Sequence, residues 1–231
     1  MTKKIAVKQE HLPVDFNLQD QIKRDLAAQK DQIGGGTVAR IRMNARGFIP
    51  PDGEISETIT GVIVDFASAN LHYPAAYDKD NPSPPNCFAI GRVLNAMVPN
   101  SASTEPQAAE CQICPKNVFG SGVGNAKACK NTRVLALIGE SASDDEAPIW
   151  IISIPPGSIR YFDNYLSTTL RGKHQLPPIG VVTEIYMDKN KDHVAPRFKH
   201  IRNLNSEELE YFYSRRAEAE AILLQQPAMT A

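Results

Sequence analysis

The sequence predicts a mainly β, α+β fold: a small barrel or sandwich with a long insertion and a C-terminal helix. Three observations predict it. Short apolar runs rich in β-branched residues recur from Thr37 to Ile201, each bounded by Gly, Pro, Asn or Asp. Residues 74–131, between two of these runs, are rich in proline and glycine and hold all four cysteines. Helical spacing appears in only a few short segments.

Residues 1–36 are polar and end in Gly34-Gly35-Gly36. Leu18–Gln32 has the spacing of a short amphipathic helix, and the three glycines break it because glycine loses most backbone freedom on ordering. We read 1–36 as a flexible arm. Strand signals follow at Val38–Met43, Phe48-Ile49, Gly61–Phe66, Cys87–Ile90, Arg133–Ile138, Ile149–Ile154, Gly180–Met187 and Arg197–Ile201, with a Pro50-Pro51-Asp52-Gly53 turn after the second. Ser158–Leu170 reads as a helix capped by Ser158, with Ile159, Phe162, Tyr165 and Leu166 on one stripe. From Asn205, with Glu208 in capping-box position, a second helix carries Leu209, Phe212, Tyr213, Ala217 and Leu224. The domain reading is therefore an arm at 1–36, a β domain at 37–204 with its insertion at 74–131, and a C-terminal helix and tail at 205–231.

The chain has 231 residues, 42% of them hydrophobic and 22% charged, which is ordinary for a globular protein. It shows no apolar run of the roughly 20 residues a membrane span needs and no secretory signal pattern in Met1–Glu10, so a cytoplasmic location is expected. The net charge of −1 argues against a uniformly basic nucleic-acid binder. The charge is uneven, however. Cys111–Gly139 contains no acid but has Lys116, Lys127, Lys130 and Arg133, and Arg40, Arg42 and Arg46 form a second acid-free stretch. A face can be basic while the whole is neutral.

Cys87, Cys111, Cys114 and Cys129 are spaced C-x23-C-x2-C-x14-C. A Cys-x-x-Cys turn puts two thiolates on one side of a tight loop, and four thiolates fill a tetrahedral zinc shell at about 2.3 Å each. Such a closed shell leaves no position for substrate, so the zinc is expected to be structural. Two disulfides, unrelated buried thiols and an iron–sulfur cluster are the competing readings. Glycines 120, 122 and 124 resemble a phosphate cradle, but Lys127 is at the wrong offset and Ala128 replaces the Ser/Thr of a Walker loop. Aromatic residues at Tyr73 and Tyr77 flank a proline-rich loop, where rings are placed to stack on bases; Trp150, among isoleucines, reads as core.

No catalytic arrangement is evident, and we expect no enzyme. The five histidines lack paired metal spacing, and neither a nucleophile elbow nor a dinucleotide fingerprint is present. Asp65 and Glu184 sit on predicted strands, without a lysine two residues after Glu184 as a nuclease would carry.

The segments Gly61–Phe66, Tyr77-Asp78, Asn81–Pro85, Cys87–Ile90, Cys111-x-x-Cys114-Pro115, Phe119–Ser121 and Lys127–Arg133 resemble a group of small bacteriophage proteins, some described as single-stranded DNA-binding proteins. The resemblance covers residues 37–202. It implies an OB-like five-stranded barrel with a structural zinc held by Cys87, Cys111, Cys114 and Cys129 in an insertion, as in T-even phage single-strand binders. It also implies binding of single-stranded DNA in phage replication or recombination, with replication or recombination proteins as further partners. Arg40, Arg42, Tyr73, Tyr77, Lys116, Lys127, Lys130 and Arg133 are the expected strand contacts. The acidic C-terminal tail of many such proteins is missing, since Gln226–Ala231 is uncharged. The alternative is a zinc-stabilised interaction module binding a host or replisome protein, which predicts exposed apolar surface near the insertion.

Overall fold

The computed structural model describes residues 38–51, 53–75, 83–140 and 147–224, with Gln21 and Arg24, both helical, before them. The chain divides into a unit at Met1–Thr37 and one at Val38–Ala231. Most of the arm, Tyr77 and the tail after Leu224 lie outside the described residues.

Every predicted run becomes a strand. They are β1 (Arg40–Asn44), β2 (Gly47–Ile49), β3 (Thr58–His72), β4 (Cys87–Gly91), β5 (Cys129–Gly139), β6 (Trp150–Ile154), β7 (Val181–Met187) and β8 (Pro196–Asn203). Asn44 Oδ1 accepts from the N–H groups of Arg46 and Gly47 at 2.8 and 3.0 Å, closing the β1–β2 turn with a short polar side chain. The strands form one sheet in the order β2-β1-β6-β5-β3-β7-β8, with β4 also paired to β3. Only the β1–β6 pair is parallel.

The sheet curls. Ile41 and Phe48 of the β1–β2 end share one buried cluster with Ile185 and Met187 of β7, together with Ile63, Leu135, Ile152 and Phe162. Among the described residues no pairing joins β8 to β2, so the ladder stays open. The mainly β, α+β class is observed. Among the described residues there are eight strands, and β4, inside the predicted insertion, is a sheet member.

The first helix, α1 (Ile159–Asn164), continues as a π-helical stretch over Tyr165–His174 and ends at Gln175, whose φ is 54°. Ser158 stands at its N-cap position without a capping side-chain hydrogen bond. The C-terminal segment is two helices, α2 (Ser206–Ser214) and α3 (Arg216–Leu223). Its capping box is complete, with Glu208 N–H donating to Asn205 Oδ1 and Asn205 N–H to Glu208 Oε2, at 2.9 and 2.8 Å. The break at Arg215 shifts the apolar stripe. Phe212, Ala219 and Leu223 are buried against Val62, Val64, Ile149 and Ile151, while Tyr213 and Leu224 are exposed.

Gly61 of β3 lies opposite Gly139 of β5. A Cβ there would meet the Ile138 carbonyl oxygen at 2.4 Å. Gly61→Ala is therefore expected to cost about 1–3 kcal/mol by overpacking, read as a lowered midpoint in urea unfolding.

Candidate metal centre and nucleic-acid interface

β3 outruns its neighbours, and its final residues carry the site. His72 pairs with Cys87 on β4 and with Cys129 on β5, so both strand cysteines are delivered to the same end of the sheet. The knuckle supplies the other two. Pro115 starts a single 3-10 turn, Pro115–Asn117, directly after Cys114. The Asn117 N–H donates to the Cys114 carbonyl (2.9 Å), and its side-chain Nδ2 to the Cys111 carbonyl (2.8 Å). Cys111 N–H in turn donates to the Met97 carbonyl at 2.9 Å, tying the knuckle to the loop that precedes it.

All four cysteines are free thiols, all are buried, and all line one cavity of about 10 Å³ together with His72, Asn70 and Lys116. That space is of the size one water or one ion takes up. Burial and the neighbouring thiols push the Cys129 thiol up to about 12, Lys127 opposing them. Burial likewise raises the Cys111 thiol, and a hydrogen bond from Asn70 opposes it. Thiolates crowded in this way need a cation to be ionised together. Donor type and convergence therefore fit a thiophilic ion such as zinc, although among the described residues no three donors stand close enough to enclose one as they lie.

A network of amides surrounds the thiols. Asn131, opposite Asn70 in register, donates to Asn70 Oδ1 at 2.6 Å and to Asn117 Oδ1 at 3.1 Å. Lys127 Nζ donates to Asn117 Oδ1 (3.1 Å) and Asn131 Oδ1 (3.0 Å), and lies 5.2 Å from the centre of the Phe119 ring. Two of its three N–H donors are thus committed inside the protein.

On the other side of Cys129 a groove opens. β6 pairs with β5 only from Arg133 onward, because Pro155 and Pro156 lack the N–H to extend the ladder. The stretch Lys130–Thr132 therefore has β3 on one flank and open space on the other. The groove there has a volume of about 970 Å³ and is lined by Tyr73, Phe119, Lys127, Lys130, Asn131 and Arg160, among others. Lys130 Nζ sits 5.2 Å from the centre of the Tyr73 ring. Phe119 is 74% exposed on its loop. Gly120 and Gly124, at φ 86° and 64°, let that loop turn back, and the Ala126 carbonyl accepts from the N–H groups of Gly120 and Gly122.

Of the expected strand contacts, Tyr73, Lys127 and Lys130 line this groove, and Lys116 lines the cysteine cavity beside it. Arg133 does not reach it: the guanidinium forks onto Asp163 at 3.1–3.3 Å, donates to Ser68 Oγ, and is 11% exposed. Arg40 and Arg42 lie on β1, next to β6, and do not line the groove. Burial lowers the Arg40 pKa and leaves its Nε without a hydrogen-bond partner. Phe119 and Arg160 are groove residues that the sequence reading did not select. A large ring beside glycines directly after a Cys-x-x-Cys-Pro knuckle was the signal for Phe119. Asp65 is buried in an ion pair with Arg92, and Glu184 lies 3.8 Å from Lys199.

Lys127 and Lys130 are expected to behave differently. Lys127→Ala should lower stability by about 1 kcal/mol, since it leaves the half-buried Asn131 Oδ1 without its donor, while Asn117 Oδ1 keeps the one from Asn131. Lys130→Ala should leave the melting temperature unchanged. Differential scanning calorimetry of the two variants separates them. Among the described residues no helix is long and apolar enough to cross a membrane. Compared with family models, with curated proteins and with solved structures, the chain matches none.

Proposed function

We propose that the chain binds single-stranded nucleic acid, with DNA in phage replication or recombination as the setting its motifs resemble, and that its cysteines hold one structural zinc ion. One observation carries this reading: two exposed or half-exposed rings, Tyr73 and Phe119, share a groove with Lys127, Lys130 and Arg160, directly beside the cysteine cavity. Stacking on rings and attraction of phosphates by cations are the two interactions that hold an unpaired strand without reading its sequence.

The zinc acts structurally, cross-linking the knuckle to the sheet edge. Lys127 and the amides of Asn70, Asn117 and Asn131 hold the loop that presents Phe119. Lys130 and Arg160 are the cations on the rim. The curled, mainly β sheet is compatible with an OB-like design, in which a strand runs across the open edge of β5. The protein acts without catalysis and in the cytoplasm of the host cell.

Fluorescence anisotropy of labelled oligo-dT tests the reading. Binding is expected at low salt, stronger than to duplex of equal length. Its log K should fall by about 0.7 per log unit of salt for each phosphate contacted. Lys130→Ala should lessen that slope by about the same amount. No binding at low salt would exclude the reading.

A second reading is favoured by a specific feature. Exposed large apolar residues gather in the insertion: Val93, Leu94, Val98, Ile113, Val118, Phe119 and Val123, the last 97% exposed. A protein-binding insertion accounts for this surface, and it predicts partner binding that salt does not weaken.

A further inference from the structure

We infer that the open flank of β5 accepts an extended acidic peptide as an additional strand. This peptide site goes beyond the nucleic-acid reading. Only the competition between the two ligands, given last, rests on that reading.

Two hydrogen bonds fix which way the main chain of β5 faces. Ile151 N–H donates to the Ala39 carbonyl at 2.8 Å, toward β1, so the main chain of Ile152 and Ile154 faces β5. Their partners Leu135 and Arg133 face β6 in turn, and by alternation Asn131 and Cys129 face the same side. The far side of β3 agrees. The His72 carbonyl accepts from Asn86 N–H at 3.0 Å, toward β4, which leaves Leu71 and Ala69 to bond Lys130 and Thr132. β6 stops pairing at Arg133. The N–H and C=O groups of Asn131 and Cys129 thus point out of the ladder, and among the described residues no turn or loop bond takes them up.

Proteins usually blunt such an edge with a charge, a bulge or a covering element. Here it opens into the groove of about 970 Å³. Cys129–Thr132 offers about 13 Å of edge, at about 3.3 Å per residue. Donors and acceptors repeating at every second residue are what the main chain of another strand matches. The sugar–phosphate backbone of DNA has acceptors but no donors, so it would leave the two carbonyls unmet. Leu71, Pro155, Pro156 and Ile159 give the groove apolar walls. Lys130 and Arg160 stand exposed at its rim. Asp163, the one acid among the described lining residues, is already held by Arg133. The uncompensated charge is therefore positive, and it favours a peptide that carries carboxylates. Tyr73 and Phe119 border the same groove, so a seated peptide covers the rings a nucleic acid would stack on.

Fluorescence anisotropy of a labelled octapeptide alternating glutamate and valine, titrated with the full chain, tests the site. Saturable binding is expected, about tenfold tighter than for the same peptide with lysine in place of glutamate. Only alternate residues of an added strand donate to β5. Methylating the amides of one residue type should therefore weaken binding about tenfold or more, as hydrogen bonds are lost, while methylating the other should not. Amide exchange of the full chain, read by NMR, should slow at Asn131 when the peptide is added and stay unchanged at Thr132, which already bonds β3. No binding, equal effects of the two methylations, or an Asn131 amide that exchanges as fast as before would overturn the inference. The unlabelled peptide should also displace labelled oligo-dT, and oligo-dT left in place by saturating peptide would contradict the shared groove. Peptide binding by a chain that binds no oligo-dT would sink the nucleic-acid reading and leave the peptide site standing.

Discussion

Removing the proposed zinc with a chelator, or replacing Cys114 by Ser, is expected to release the insertion from the sheet and abolish the proposed strand binding together with metal content. The size of the effect follows from what the ion replaces. The knuckle is attached by few hydrogen bonds: Asn131 Nδ2 of β5 donates to Asn117 Oδ1, and Cys111 N–H ties it to the preceding loop at the Met97 carbonyl. Its other anchor is the Cys111 side chain, in a small apolar cluster with Ala89 and Met97. Structural zinc contributes about 10–16 kcal/mol of apparent binding free energy in small metal-folded domains. Even a fraction of that exceeds what the hydrogen bonds supply at about 1 kcal/mol each. The sheet buries its own core on both faces and should survive. Circular dichroism should therefore keep its β signal while limited proteolysis cuts between residues 92 and 128. Metal analysis should fall from about one equivalent per chain to none. A metal-free protein that keeps both its protease resistance and its strand affinity would show that the thiols are merely buried side chains.

The second large effect is on the groove. Tyr73→Ala combined with Phe119→Ala is expected to weaken oligo-dT binding by about 2–6 kcal/mol, taking 1–3 kcal/mol per stacked base. That is a loss of roughly 30-fold or more. The salt slope should be almost unchanged, because no phosphate contact is lost. Arg133→Ala also weakens binding, but by a different route, since it leaves Asp163 and Ser68 without their guanidinium partner. Its melting temperature should fall, whereas that of the aromatic double variant should not. Anisotropy titrations at two salt concentrations, paired with thermal melts, distinguish the two variants.

The strands were legible because alternation and β-branched content are local properties of a run, and each run found its ladder. The capping box at Asn205 and Glu208 was legible for the same reason: four consecutive residues suffice to build it. The Cys-x-x-Cys knuckle is also local; the four cysteines line one cavity, although among the described residues no three donors stand close enough to enclose an ion. What escaped depends on sheet order. Nothing in the runs says that β1 lies beside β6, so the alternation of Arg40 and Arg42 could not reveal that their neighbours are β6 residues and not the groove. Asp163, 30 residues from Arg133, could not be foreseen as its partner. The commitment of Lys127 to Asn117 and Asn131, and the place of His72 between two cysteines, likewise appear only once β3, β4 and β5 are in register. The break at Arg215, where a buried guanidinium bonds the Ala147 carbonyl and Glu218, moved the apolar stripe off Ala217 and Leu224.

Photo-crosslinking of oligo-dT to the zinc-loaded protein, followed by mass-spectrometric mapping of the attached peptides, tests most directly whether a strand lies between the knuckle and the open flank of β5. The expected adducts fall on the peptides carrying Tyr73 and Phe119, and they diminish with added salt. Adducts confined to β1, β8 or the C-terminal helices, or none above background at low salt, would contradict it.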